Sequence, residues 1–292
     1  MTYNDLKAAL AAAGIGDDAE CRREAELLCA KFGGISPSSL PFRRDEDIRS
    51  RELADALTRR INREPLQYIL GEWEFYGLDF YVTPDCLIPR PDTEITVSAA
   101  IKLLPEGARF ADLGTGSGAI AVSVLKNRCD IHAVASDISP AALAVAESNA
   151  VRNGVADRCR FLCADMLSEC FFDALPRPID AIISNPPYIP TRELAAGIIQ
   201  PELDFEPRGA LDGGTDGLDF YRAVIPRAAE RGVLTDDGTV IFEVGAGEAD
   251  AVSALGKSAG FYTAILADLG GIERTVILSK NQKSIALKGF MI

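Results

Sequence analysis

Ser184-Asn-Pro-Pro-Tyr-Ile189 closes an apolar run, Ile179 to Ser184, that reads as a buried strand. Two successive prolines fix their own backbone angles and remove two N–H donors, so nearby carbonyls are left without an internal partner and turn outward. The side-chain oxygen of Asn185 and the carbonyl of Pro186 are then placed to accept both N–H bonds of one planar –NH₂ group. Tyr188 adds a flat face against which such a group can stack. A second segment, Ala111-Asp-Leu-Gly-Thr-Gly-Ser-Gly-Ala119, follows another short apolar run. Its glycines at 114, 116 and 118 permit a tight turn and close approach of a ligand to the backbone where a helix begins. Taken alone the loop is ambiguous. Gly114-x-Gly116-x-x-Ala119 also satisfies the dinucleotide fingerprint, and a purely structural turn would look the same.

Three acidic residues narrow the choice. Asp112, two residues before Gly114, resembles the acidic residue that precedes the glycine loop in S-adenosylmethionine enzymes. Asp137 ends the next predicted strand, 19 residues beyond Gly118, where a carboxylate can accept both ribose hydroxyls of an adenosine. Asp165 ends the third strand, where such enzymes grip the adenine amino group; a helix cap explains this residue equally well. The single histidine, His132 in Asp-Ile-His-Ala-Val-Ala, reads as a packed or strand-edge residue, so no histidine base is expected. Cys159 and Cys163 have a metal-like spacing, but neither a second pair nor a histidine joins them, and no metal site is expected.

These residues must be positioned by elements of two kinds. Residues 1–70 carry helical periodicity over Asp5 to Ala13, Ala19 to Phe32 and Ile48 to Arg63, punctuated by Gly33-Gly34 and Ser36-Pro37. Residues 71–84 read as a β-hairpin around Gly77, because aromatic and β-branched residues flank it. The proline-stiffened Leu87-Ile-Pro-Arg-Pro-Asp-Thr-Glu94 leads into a helix that Thr93 or Asp92 can cap. From Arg109 the pattern becomes strand, turn, helix, with strands at Phe110 to Leu113, Ile131 to Ser136, Phe161 to Ala164 and Ile179 to Ser184. Later strands fall at Val240 to Val244, Thr263 to Leu266 and Thr275 to Leu278. Such alternation predicts an α/β domain over 85–292, a mainly parallel sheet with helices on both faces.

Composition excludes several roles. The 292 residues carry 30 Lys+Arg against 43 Asp+Glu, a net charge of −13. Up to Glu72 there are 11 basic and 13 acidic residues, so the acidity belongs to the larger part, with 19 against 30. Direct nucleic-acid binding and attachment to an anionic membrane both need clustered basic residues and are not expected. No apolar run approaches the roughly 20 residues that span a bilayer. The start, Met1-Thr-Tyr-Asn-Asp-Leu-Lys, lacks the basic and apolar stretches of a signal peptide. Seven cysteines, an odd number and several in apolar segments, suggest reduced, buried thiols in a cytoplasmic protein.

Asn-Pro-Pro-Tyr combined with Asp-x-Gly-x-Gly-x-Gly resembles methyltransferases that modify planar amide or exocyclic amino nitrogens. Within that group three further features resemble the HemK/PrmC family of peptide chain release factor glutamine methyltransferases. They are Ile88-Pro-Arg-Pro-Asp-Thr-Glu94, the hairpin around Gly77, and Glu206-Pro-Arg-Gly-Ala-Leu-Asp-Gly-Gly-Thr-Asp-Gly-Leu218. The likeness runs over nearly the whole chain. It implies a Rossmann-like S-adenosylmethionine-dependent methyltransferase domain, a small N-terminal helical domain that recognises the release factor, and a linking hairpin. By the same resemblance Gly114, Thr115, Gly116, Ser117, Gly118, Asp137, Asp165, Met166, Asn185 and Arg90 line the cofactor. Asn185, Pro186, Pro187 and Tyr188 hold the substrate amide, with Asn185, Pro186 and Tyr188 catalytic. Arg90 and Glu94 belong to the Pro-Arg-Pro motif that covers the cofactor pocket, although Arg90 also reads as a surface salt-bridge partner. The sequence departs from the family at Met166, where a bulky aromatic is expected; methionine can also pack on adenine. Glu243 in Phe-Glu-Val-Gly-Ala matches a family position without an assignable role. The same tetrapeptide also suits methylation of adenine N6 or guanine N2 in DNA or ribosomal RNA, or of a glutamine in a ribosomal protein. A non-catalytic cofactor-binding protein and a nicotinamide oxidoreductase would both leave the tetrapeptide without a purpose.

Overall fold

A computed structural model describes residues 1–196, 200–230 and 232–285; the last seven residues of the expected 85–292 domain lie outside them. The chain forms two compact units, Met1–Glu72 with Gln200–Phe205, and Trp73–Ile199 with Glu206–Ile292.

The first unit is helical. α1 (Tyr3–Ala12) starts at a capping box in which the Thr2 hydroxyl and the Asp5 carboxylate each accept the other residue's backbone N–H. α2 (Asp18–Phe32) is capped by Asp17. α3 (Arg51–Ile61) begins three residues later than the periodicity predicts, because the Ser50 hydroxyl caps Leu53 while the Ile48 N–H bonds to the Met1 carbonyl. A fourth helix, α4 (Leu66–Leu70), is too short to leave a periodic signal. Leu6, Leu10, Leu28 and Leu53 pack the interior. A charge pair is buried among them: Arg60 forks onto Glu24 at 2.8 and 3.0 Å, and its remaining nitrogen reaches Glu202 at 3.2 Å. Glu202 also pairs with Arg63 at 3.6 Å. The helical unit therefore contains a segment from far along the chain, a membership no contiguous reading of residues 1–70 can find.

In the second unit β1 (Glu72–Phe75) and β2 (Leu78–Tyr81) form the hairpin, with Tyr76 (φ 54) and Gly77 (φ 71) at its turn. Positive φ is unusual for tyrosine. Here it is held from α5 (Thr93–Leu103), where the Glu94 carboxylate accepts the Tyr76 N–H at 3.0 Å and Ser98 bonds the phenol at 2.9 Å.

The main sheet uses β3 (Arg109–Leu113), β4 (His132–Asp137), β5 (Cys159–Cys163), β6 (Ile179–Ser184), β7 (Leu234–Glu243), β8 (Tyr262–Ala267) and β9 (Glu273–Ser279). Their order is β5-β4-β3-β6-β7-β9-β8. The first five run parallel, whereas β9 is antiparallel to both β7 and β8. The central strands bury mainly apolar side chains, as double coverage requires. α5 packs on α6 (Ala119–Asn127) over one face, and α7 (Pro140–Arg152) lies against β4 and β5. The other face is covered by α9 (Asp219–Ala229) and α10 (Ala249–Ser258), which bury Val224 and Val252. α8 (Thr191–Ala195) and α11 (Gln282–Ile285) are single turns.

His132 sits exposed at the first residue of β4. Cys21, Cys29, Cys86 and Cys159 are buried, but Cys129, Cys163 and Cys170 are exposed, contrary to the expectation of buried thiols; Cys163 lies on the edge strand β5. Among the described residues no helix is long and apolar enough to cross a membrane, and no His, Cys, Asp and Glu cluster is placed to hold a metal ion.

Removing Arg60 would leave Glu24 charged and buried without its partner, and breaking a buried pair in this way costs about 3–5 kcal/mol. Arg60→Ala is therefore expected to lower the denaturant midpoint of the helical unit steeply, and Arg60→Lys to recover only part of it because a lysine cannot fork.

Candidate active site

The switch in strand order lies between β3 and β6, whose following connections leave in opposite directions, so a crevice opens beyond their carboxyl ends. The two chemically loaded segments of the sequence are the loops at that crevice. A cavity of about 400 Å³ occupies it.

The glycine loop turns out of β3 with Gly114, Gly116 and Gly118 all at positive φ. Gly118 occupies the N-cap of α6, and a Cβ there would meet the Cβ of Ala146 at 3.1 Å, so the glycine also lets α6 approach α7 closely. Asp112 is fully buried. Its Oδ2 accepts the Thr115 hydroxyl at 2.6 Å and the Ala121 N–H at 3.2 Å, which ties the strand end to the loop and to α6. Burial pushes its carboxyl up to about 7. Asp112 is a brace beneath the loop and does not line the cavity.

At the end of β4, Asp137 accepts the Gly116 N–H at 2.9 Å with Oδ2 and the Ser139 N–H at 2.9 Å with Oδ1. A carboxylate offers about four acceptor sites, so roughly two remain for a ligand. Beyond β5, Asp165 accepts the Leu167 N–H at 2.8 Å in a local turn and caps no helix. The Met166 side chain packs over Gly114, so close that a Cβ at that glycine would lie 3.0 Å from the methionine methyl.

Gly114, Thr115, Gly116, Ser117, Asp137, Asp165, Met166, Asn185, Pro187 and Arg90 all line the cavity. Three of the predicted residues stand elsewhere: Gly118 is in the α6–α7 contact, and Pro186 and Tyr188 are outside the cavity lining. The Tyr188 ring faces Gly245, where a Cβ would lie 3.1 Å from it, and burial raises its hydroxyl well above the usual phenol range. Tyr188 therefore stays a neutral phenol and is no base.

Glu94 corrects its expected place over the pocket, since its carboxylate holds the hairpin turn instead. The expected cap of α5 is also absent. Asp92 stands at the N-cap position but pairs with Arg274 at 3.1 Å, and the Thr93 hydroxyl accepts Asn185 Nδ2 at 3.2 Å. Arg90 does form an ion pair, yet its partner Glu206 is buried and also accepts the Ile88 N–H at 3.2 Å. Burial raises the Glu206 carboxyl despite the arginine beside it.

Two supports escaped the sequence reading. Asn149 of α7 exchanges bonds with the Tyr81 N–H and carbonyl at 2.7 and 3.0 Å and donates to the Ser117 carbonyl at 2.8 Å, joining hairpin to glycine loop. An asparagine in a helix interior was the only signal. Gly213 lies flush against the proline tetrapeptide, where a Cβ would stand 2.6 Å from Tyr188 Cα and 2.8 Å from the Pro187 carbonyl. Around it the Ile189 N–H bonds to the Leu211 carbonyl and the Gly213 N–H to the Ile189 carbonyl, both at 2.9 Å.

With that geometry in view, similarity to known proteins is informative. Residues 2–71 match the PrmC N-terminal domain and residues 95–203 the methyltransferase small domain. A release factor glutamine methyltransferase of Geobacter sulfurreducens is 42% identical over 261 residues, covering 87% of this chain and 88% of that protein. The chain belongs to the release factor glutamine methyltransferase family. Another member, from Cereibacter sphaeroides, is 42% identical over 272 residues, covering 91% of this chain and 93% of its own. A methyltransferase structure from Pyrococcus furiosus shares the fold at a TM-score of 0.53 and 18% identity, over 71% of this chain and 91% of its own. Family membership thus agrees with the Rossmann-like α/β architecture and with the helical N-terminal unit.

Because a methyl at Gly213 would overlap main-chain atoms that cannot rotate away, Gly213→Ala is expected to shift the tetrapeptide. Because reaction rates depend steeply on the alignment of the reacting groups, turnover should fall about tenfold or more while the circular dichroism spectrum stays unchanged.

Proposed function

We propose that the crevice beyond β3, β4 and β6 holds S-adenosylmethionine, and that the chain methylates the side-chain nitrogen of the glutamine in the Gly-Gly-Gln motif of peptide chain release factors. The observation that carries this reading is the presence of Asn185 and Pro187 in the lining of the same cavity as the glycine loop and Asp137. The acceptor of a planar –NH₂ group thereby meets a site suited to an adenosine.

The residues present fit the cofactor. Asp137 keeps free acceptor sites for two ribose hydroxyls, Met166 and Leu167 offer apolar surface to the adenine, and the glycine loop admits close backbone approach. Arg90, held by Glu206, closes part of the wall. When bound, S-adenosylmethionine supplies a methyl group on a sulfonium, an electrophile for a nitrogen aligned with it.

An amide nitrogen is a poor nucleophile because its lone pair is delocalised into the carbonyl. The protein's contribution is orientation and charge stabilisation. Asn185 Oδ1 and the Pro186 carbonyl accept the two N–H bonds, aim the nitrogen, and favour positive charge as it develops there. Alignment of this kind contributes up to roughly 7–11 kcal/mol in well-ordered systems. The proton becomes acidic only as the new bond forms, so it leaves late, past the Pro186 carbonyl to water. Tyr188, buried beside Gly245 behind the cavity wall, backs the tetrapeptide as a neutral ring.

The helical unit is assigned to recognition of the protein substrate, since a single glutamine side chain needs no second domain. Cysteines without disulfides suit a reducing compartment, which favours a cytoplasmic enzyme. The excess of acid in the larger part of the chain favours a protein over a nucleic-acid substrate.

Incubation with methyl-labelled cofactor and intact release factors should place label on the Gly-Gly-Gln glutamine by mass mapping. A short Gly-Gly-Gln peptide should show a much higher KM, and DNA and ribosomal RNA should stay unlabelled. Label in the nucleic acids alone would overturn the assignment. Two variants divide the site. Asn185→Ala is expected to lower kcat by about 10²–10³, the range for loss of one preorganised polar contact, with cofactor affinity little changed. Asp137→Ala should do the reverse, weakening cofactor binding about tenfold or more in calorimetry.

A further inference from the structure

Glu243, the last residue of β7, is 1% exposed, and its Oε2 has no hydrogen-bond partner among the described residues. Its carboxyl faces the side chains of Thr93 and Asn185. Thr93 is itself buried, and its Oγ1 stands 3.2 Å from Asn185 Nδ2. A buried carboxylate with an unused oxygen is costly to keep. Nothing in the core packing requires an acid at this place.

The chemistry of the three groups gives the acid a purpose. A carboxamide has an acceptor end and a donor end of nearly equal size, and a half-turn of Asn185 would present –NH₂ to the substrate –NH₂. A threonine hydroxyl cannot prevent this, because it donates or accepts with equal ease. An ionised carboxylate only accepts. Facing both groups, it can accept a hydrogen bond from the Thr93 hydroxyl, which leaves the Thr93 oxygen free to accept, and another from the Asn185 amide. Both neighbours of the amide then demand its –NH₂ end, and Oδ1 is turned to the cavity.

We propose that Glu243, acting with Thr93, is the positioning residue that locks the Asn185 carboxamide with its oxygen toward the substrate. The inference rests on the reading of Asn185 as acceptor of the substrate –NH₂ group.

The same arrangement makes the lock sensitive to pH. Burial raises the Glu243 carboxyl to about 7. The groups facing it are Asp92, which opposes its ionisation, Arg274 on β9, which favours it, and the neutral phenols of Tyr188 and of Tyr221 on α9. Tyr221 donates to the Glu243 backbone carbonyl at 2.8 Å. Below about pH 7 the protonated acid can donate as well as accept, and the constraint on Asn185 is lost. For stability the sign is opposite. A carboxyl raised from 4.5 makes the folded state hold its proton more tightly, so its contribution to stability falls as pH rises from about 4.5 to about 7, and the penalty is complete above that.

Turnover at saturating cofactor and release factor, measured from pH 5.5 to 9, tests the inference on the full-length enzyme. The wild type should lose kcat on the acid side near pH 7. Glu243→Gln, which keeps an acceptor without a titrating proton, should lack that limb. Glu243→Leu should lose about 10²-fold in kcat with cofactor affinity within about threefold of wild type, yet melt higher than wild type at pH 8. A merely structural role would lower melting temperature and activity together. Thr93→Val should lower kcat in the same way, and Thr93→Ser should restore it. On an Asn185→Ala background, Glu243→Leu should cost nothing further, because it acts through the missing amide. Full kcat in Glu243→Leu, or an unchanged acid limb in Glu243→Gln, overturns the inference while leaving Asn185 in place. Full kcat in Asn185→Ala overturns the reading on which it rests.

Discussion

The pairing of β3 with β6 is the constraint on which the site depends. These are neighbours in the sheet, but their chains depart to opposite sides, so the crevice at their ends is a consequence of topology. The two strand ends are joined by the buried Ser184 hydroxyl, which donates to the Leu113 carbonyl at 2.6 Å. That bond lies immediately before Gly114 on one strand and Asn185 on the other. Together with the strand pairing, it fixes the glycine loop and the proline tetrapeptide against each other.

Around this contact the protein buries three carboxylates, Asp112, Glu206 and Glu243, all raised by desolvation. Each faces a backbone or side-chain donor in a segment that lines the site: the glycine loop, the Pro-Arg-Pro segment, and Asn185. Desolvated acids weaken a core, so their shared location at the loop bases marks a division of labour. The sheet supplies stability from apolar strands, and charged braces set loop geometry at a cost to that stability. The helical unit uses charge differently, satisfying Arg60 with a bidentate partner, a second carboxylate and a backbone carbonyl.

The candidate site was legible in sequence wherever chemistry and backbone conformation are local. Successive prolines, alternating glycines and an acid at a strand end act within a few residues, and they lead to Asp137, Asn185 and the loop between Gly114 and Gly118. Strand and helix positions followed from periodicity for the same reason. The failures that concern the site and its supports are long-range. Glu94 serves a turn 18 residues away, Asp92 pairs with Arg274 on the last strand, and Gly213 presses on Tyr188. Gln200–Phe205 belongs to the helical unit although the sequence around it belongs to the other.

By itself, then, the sequence determined that a mainly parallel α/β sheet would carry a glycine loop and a proline-stiffened Asn-Pro-Pro-Tyr turn at its strand ends, beside a separate helical unit. Both follow from side-chain period and from the conformational limits of proline and glycine. Only the tertiary structure decided which of the acids brace and which face the cavity. A carboxylate is the same group in either role, and its function is set by the donors that folding brings to it. Asp112 and Asp137 stand at the ends of adjacent strands; one is consumed beneath the loop and the other keeps free acceptor sites in the crevice.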